Sequence, residues 1–238
     1  MNKIIGFIPS RYNSTRFPGK PMVIINGKTM IQRVYEQAKK CSILDEVIVL
    51  TDDERIYNHV KNFGEVKMTS SKCTNGTNRI LSIIDTYPSI DGFINIQGDE
   101  PFIDPQQIET IAIGIKLHKN PITTLKYKTI SKSDFNEVKV VCDNNDKALY
   151  FSRSLIPCNA KSHFLHVGIY GFNASVIPKL KELNKSRYGL DTFESLEQLL
   201  WMVNGIDVYA YTTNKKTISV DTPEDLEKIE KTFRFRKV

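Results

Sequence analysis

The segment SRYNSTRFPGKP gathers Arg11, Arg16 and Lys20 among Ser10, Ser14, Thr15 and Gly19, directly after the apolar run IIGFIP. A polyphosphate needs several cations and backbone N–H groups at close approach, and such a loop supplies both. The spacing is neither a Walker A sequence nor the GxGxxG fingerprint. A solvated basic loop is the plainer alternative. In GFINIQGDEP, Asp99 stands just beyond a second apolar run beside Gly98, which leaves room for a ligand. A carboxylate there suits Mg²⁺, although a Gly-Asp turn explains the pattern too. In VDTPEDL, Thr222 is a natural N-cap, Pro223 fits the first helical position, and Asp225 completes a variant capping box. The cap leaves Asp221 without a task, a carboxylate placed to be a second metal ligand.

Other polar residues stand where chemistry is feasible. Asn75, Gly76, Thr77 and Arg79 precede a helix whose N-terminus welcomes an anion or a base edge. Arg153 ends an apolar strand, and its planar cation can hold a carboxylate bidentately. His163 and His166 are three apart, on opposite faces of a strand, and make a poor metal chelate. Glu197 and Gln198 lie on an amphipathic helix, where a polar face is the ordinary explanation.

The elements that must position these residues alternate. IIGFIP is a strand. Met30, Ile31, Val34, Tyr35 and Ala38 then recur at helical spacing, DEVIVLTD is a strand, and Ile56, Val60 and Phe63 mark a helix capped by Gly64. Strand EVKMT, helix NRILSIIDTY and strand GFINIQGDEP continue the series. This alternation predicts an α/β fold with a Rossmann-like, mainly parallel wound sheet and helices on both faces. From about residue 121 to 175 the pattern turns strand-rich: ITTLKYKTI, EVKVVCD and KALYFSR around an Asn-Asn turn, then HVGIYGFN. Such an insert suits a cleft wall or a dimer surface. A helix over DTFESLEQLLWMV, strands DVYAYT and TISV and a last helix from Pro223 to about Phe233 complete the chain. No linker or repeat interrupts it, so residues 1–238 read as one domain.

Composition bounds the function classes. The 238 residues are 40% hydrophobic and 25% charged, enough for a sizeable core. No apolar run approaches the roughly 18 residues of a membrane span. The N-terminal run meets Pro9 and Arg11 too early for a secretory signal, so the cytoplasm is expected. Cys41, Cys73, Cys142 and Cys158 are scattered and fit a reducing compartment. The net charge of +6 is spread along the chain without a basic run or stacking aromatics. Small anionic substrates therefore explain it better than a nucleic-acid-binding module.

The loop resembles the RxxxxRxPGKP signature of nucleotide-sugar nucleotidyltransferases. IPSRYNSTRFPGKP, TDDERI, NGTNR, NIQGDEP, VKVVCD, ALYFSRSLIP, HVGIYGF, ESLEQL and VDTPEDL together resemble the 3-deoxy-manno-octulosonate (KDO) cytidylyltransferase family over nearly the whole chain. The resemblance implies transfer of CMP from CTP to the anomeric hydroxyl of a 2-keto-3-deoxy sugar acid, KDO first, with release of pyrophosphate, in lipopolysaccharide synthesis. It implies that Arg11 and Lys20 grip the phosphates, that Pro9, Asn75, Gly76 and Arg79 contact the nucleotide, and that Gln97 reads the pyrimidine. Asp99 and Asp221 would hold magnesium. Arg153, His166, Tyr170, Glu197 and Gln198 would bind the sugar acid, and the enzyme would be a homodimer. Asn75 and Asn78 replace the serine and glutamate of the family's SGTER, Leu200 replaces the arginine of LEQLR, and the loop from Arg153 to His166 is short. Those departures keep open a nucleotidyltransferase for 8-amino-KDO, another nonulosonic acid or a sugar phosphate. A degenerate nucleotide binder is disfavoured because Arg11, Lys20, Asp99 and Asp221 are all present.

Overall fold

A computed structural model describes residues 3–14, 16–130, 134–183 and 189–235, the last six by backbone alone. Thr15 of the basic loop lies outside the described residues. The chain packs as two compact units, 1–90 with 95–108 and 217–238, and 91–94 with 109–216. In chain order the strands and helices are β1 (Lys3–Ser10), β2 (Ile24–Ile25), β3 (Lys28–Thr29), α1 (Met30–Ala38), β4 (Glu46–Thr51), α2 (Glu54–Val60), β5 (Glu65–Met68) and α3 (Gly76–Leu81). Then come β6 (Ile90–Asn95), α4 (Pro105–Lys116), β7 (Ile122–Thr129), β8 (Lys139–Cys142), β9 (Ala148–Ser152) and β10 (His163–Asn173). The chain ends with α5 (Ile177–Lys181), α6 (Leu190–Glu194), α7 (Glu197–Val203), β11 (Val208–Thr213) and α8 (Pro223–Phe235). The architecture is the expected α/β class with a mixed, mostly parallel sheet.

In the first unit β4 runs parallel to β1, pairing Ile5 with Glu46 through Ser10 with Thr51, and β5 runs parallel to β4. Ile4, Ile5, Phe7 and Ile8 are buried on both faces of β1, as an uninterrupted apolar strand requires. The basic loop therefore leaves the carboxyl end of a parallel strand, the usual ligand position in such sheets. Ile96 N–H donates to Phe7 O at 2.9 Å, which lays the QGDEP turn beside the same strand end. All five apolar positions read from the spacing of α1 are buried, and Thr29 caps the helix by accepting Gln32 N–H at 3.3 Å. Gly64 does not close α2 in a left-handed conformation. A Cβ there would fall 2.4 Å from Tyr35 Cζ, so packing demands the glycine.

In the second unit β10 pairs antiparallel with β7 and with β8, β8 with β9, and β11 runs parallel to β7. The strand-rich stretch expected over 121–175 is present, inside a unit that also takes in α5, α6, α7 and β11. Its core joins Phe172 stacked on Phe93 at 4.7 Å to the wholly buried Trp201, which meets Phe172 and Tyr170 edge-on. Two expectations fail. The helix over DTFESLEQLLWMV is two, broken at Ser195, whose φ of 53° turns the chain so that Leu196 enters the core. TISV forms no strand. Val220 N–H donates to Asp99 O at 2.9 Å, so the segment is held by a turn rather than by a ladder.

Candidate active site

In the first unit, one apolar cluster pins the three chemically promising segments. Ile25, Met30, Val220 and Ile229 form its buried centre, with Phe17, Val23, Phe102 and Leu226 packed against it. Phe17 belongs to the basic loop, Phe102 follows QGDEP, and Val220 precedes Asp221. Each fully buried apolar side chain of this size stabilises by about 1.5–3 kcal/mol, so the polar residues beside them inherit fixed positions. Gly19, in left-handed conformation, begins a short 3₁₀ turn with Lys20 at its first position and Pro21 behind it.

That turn carries Lys20 to both expected metal ligands. Its ammonium donates to Asp99 Oδ2 at 2.7 Å and to Asp221 Oδ1 at 3.1 Å, and Arg16 reaches Asp221 Oδ1 at 3.0 Å. Burial pulls the Lys20 pKa down, but the charges and hydrogen bonds of Asp99 and Asp221 outweigh it and the net shift is upward. Lys20 is therefore a lasting cation. The cap of α8 uses Thr222 and Asp225: Asp225 N–H donates to Thr222 Oγ1 at 3.3 Å, and Thr222 N–H to Asp225 Oδ2 at 3.2 Å. Asp221 gives that cap only its backbone N–H, and its carboxylate is spent on the cations. Glu100, not singled out by the sequence, is buried, and desolvation followed by the Asp99 charge pushes its pKa up to about 8. Asp99 and Asp221, not Glu100, are thus the carboxylates that face the Lys20 ammonium.

Pro9, Arg11, Lys20, Gln97 and Asp99 line one pocket of about 240 Å³. Gly98 serves the backbone as much as a ligand, because a Cβ there would meet Pro9 O at 3.0 Å. Arg11 Nη2 donates to Cys73 O. Asn75 caps α3, accepting Asn78 N–H at 2.7 Å, and a Cβ on Gly76 would meet Pro9 Cγ at 3.2 Å. Arg79 is fully buried, its guanidinium on Asp52 at 3.0 Å and on Thr69. It braces α3 from within, and breaking a pair so deeply buried costs about 3–5 kcal/mol.

In the second unit, Arg153 directly follows β9, and its Nε donates to Glu194 O at 2.9 Å. His166 projects from β10 with Nε2 3.0 Å from Thr124 Oγ1, and its ring lies 5.1 Å from that of Tyr170. Tyr170 and Gln198 are buried, and Glu197 starts α7. Burial alone pushes the His166 pKa down to about 3, so the imidazole is neutral and acts through hydrogen bonds rather than charge. The unfolded chain binds a proton near pH 6.5 that the folded one refuses until about pH 3, so stability present above 6.5 drains away as pH falls through that window. His166→Gln should flatten this acid limb when thermal midpoints are measured from neutral pH downward; an unchanged limb would show that other groups set it.

The family model described as cytidylyltransferase matches residues 5–232. The chain belongs to the cytidylyltransferase family. It is 46% identical over 236 residues to a 3-deoxy-manno-octulosonate cytidylyltransferase of Fusobacterium nucleatum, covering 95% of each chain. It is 45% identical over 250 residues to one from Parabacteroides distasonis, covering 96% of this chain and 97% of that one. A solved structure of CMP:2-keto-3-deoxy-manno-octonic acid synthetase complexed with CTP superposes with a TM-score of 0.91 at 37% identity, over 99% of this chain and 100% of the other.

This cytidylyltransferase has, among its described residues, no group of three or more side chains arranged to hold a metal. Two carboxylates that converge on one cation, Lys20 Nζ, nevertheless fit Mg²⁺, which takes one or two protein carboxylates and completes its shell with phosphates and water. All four cysteines are free thiols, and no described helix is long and apolar enough to cross a membrane. Arg16 was visible only as one loop cation among others. Glu194 and Lys139, which hold the Arg153 backbone, gave no signal, because the Arg153 main-chain groups they meet lie on another part of the chain.

Proposed function

We propose that this cytidylyltransferase transfers CMP from CTP to the anomeric hydroxyl of a 2-keto-3-deoxy sugar acid, KDO, and releases pyrophosphate. The observation that carries the reading is Lys20, bound to Asp99 and Asp221 on the wall of a pocket that Pro9, Arg11 and Gln97 also line. The names of the relatives and the CTP of the structural neighbour support the same substrates.

Displacement at the α-phosphorus needs alignment and charge stabilisation more than a covalent nucleophile. Arg11 and Lys20 place fixed positive charge against the polyphosphate, where negative charge gathers as pyrophosphate departs. Asp99 and Asp221 would hold Mg²⁺, which supplies further neutralisation of the phosphates when bound. Gln97, beside Pro9, offers donor and acceptor atoms to the pyrimidine edge. Arg153 would take the sugar acid's carboxylate, with His166, Tyr170, Glu197 and Gln198 on its hydroxyls. The reading includes a cytoplasmic homodimer, for which the exposed Ile130, Phe135 and Leu149 of the strand-rich stretch offer apolar surface.

Pyrophosphate release from CTP or UTP, offered with KDO, 8-amino-KDO, other 3-deoxy sugar acids and sugar phosphates, tests the assignment. Release with CTP and KDO far above every other pair is expected, and a preference for a sugar phosphate or for UTP would refute it. Lys20→Ala should lower kcat/KM for CTP by about one to two decades, since a charged hydrogen-bond donor in a half-enclosed pocket is lost. Kinetics with CTP that stay unchanged at low and high salt would show that the loop is merely solvated.

A further inference from the structure

Arg153 leaves β9 on a backbone that is gripped on both its amide and its carbonyl. Lys139, in β8, is wholly buried, and its ammonium donates to Asp134 O at 2.5 Å, Glu137 O at 2.7 Å and Arg153 O at 2.5 Å. Glu194, the last residue of α6, takes the amide side. Its Oε2 accepts Arg153 N–H at 2.8 Å, and its Oε1 accepts the Ser152 hydroxyl at 2.6 Å. Its own main-chain oxygen accepts Arg153 Nε at 2.9 Å. Among the described residues Nη1 and Nη2 of Arg153 make no hydrogen bond, so the outer prongs of the guanidinium remain for an anion.

A buried ammonium is a costly way to hold a strand end. An apolar side chain of equal length would fill the same space without desolvating a charge. The three N–H bonds of an ammonium matched to two carbonyls of the turn before β8 and one at Arg153 accomplish something packing does not: they fix where the Arg153 carbonyl stands relative to that turn. Bidentate recognition of a carboxylate is sensitive to such placement, and a misplacement of about 1 Å costs about a hundredfold in a well-aligned site.

We propose that Lys139 and Glu194 are positioning residues that clamp the Ser152–Arg153 backbone and thereby aim the Arg153 guanidinium at the sugar acid's carboxylate. The inference rests on the reading above, in which Arg153 is the carboxylate-binding residue. It adds that selectivity for an acidic sugar is set by a buried cation and an anion that never touch the substrate.

The test compares Lys139→Met, Glu194→Gln and Arg153→Ala, each alone, and the first two each combined with Arg153→Ala, with CTP and KDO titrated separately and thermal melting recorded. Lys139→Met keeps the aliphatic stem and removes the charge. Glu194→Gln, at a half-buried position, carries the test by itself if the lysine variant does not fold. Either single change should raise KM for KDO by about tenfold, leave KM for CTP unmoved, and add little once Arg153 is already alanine. Equal losses for both substrates, no loss for either, or effects that multiply fully with Arg153→Ala would overturn the clamp. A normal KM for KDO in Arg153→Ala alone would instead overturn the underlying assignment of Arg153.

Discussion

Asp221→Asn should fold normally and lose about two orders of magnitude or more in turnover, because it removes one of two carboxylates offered to magnesium. The structure separates this residue from its neighbours in VDTPEDL. The helix cap is complete with Thr222 and Asp225, and Asp221 gives it only a backbone N–H, which asparagine keeps. The ion pairs lost to Arg16 and Lys20 are partly exposed and contribute little to stability. The melting temperature should therefore barely move while activity collapses. Asp99→Asn should behave alike, since its tie to Val220 runs through the main-chain oxygen. Chelating the metal should silence the wild type, and added magnesium should recover part of the activity of either variant. Near-normal turnover in Asp221→Asn would return that residue to the terminus of a helix and nothing more.

Arg153→Ala carries the second large effect. A substrate carboxylate left unpaired in a partly desolvated site costs about 3–5 kcal/mol, or two to three decades in affinity. KM for the sugar acid should rise accordingly while CTP binding stays close to normal, because every nucleotide-side residue described above belongs to the other unit. The selectivity of the loss decides the matter. A damaged fold would weaken both substrates, and a loss confined to CTP would remove Arg153 from the sugar side.

The sequence displayed those parts of the molecule that are encoded locally. The apolar run of β1, the helical spacing in α1 and the capping box of α8 each lie within one short segment, and each formed as expected. The loop cations and Asp99 were legible because unusual residue types directly follow a buried strand. Asp221 was legible by subtraction, since the cap has no use for it. What remained hidden depends on partners distant in the chain. TISV looks like a strand by composition, yet its backbone meets a turn through Asp99. Gly64 looks like a helix stop, and only the Tyr35 ring shows why no side chain fits. Arg79 in NGTNR reads as a ligand contact, whereas its guanidinium is buried on Asp52 and Thr69. Lys139 in VKVVCD resembles any strand lysine until the Arg153 carbonyl, beyond the next strand, joins two from its own preceding turn.

The central claim is tested most directly by following ³¹P resonances while the purified protein acts on CTP, KDO and magnesium. Equal amounts of pyrophosphate and of a single new CMP phosphodiester should appear, only when all three are present, as required when the sugar's hydroxyl displaces pyrophosphate at the α-phosphorus. Appearance of CDP, of inorganic phosphate alone, or of free CMP that forms equally well without KDO would contradict it.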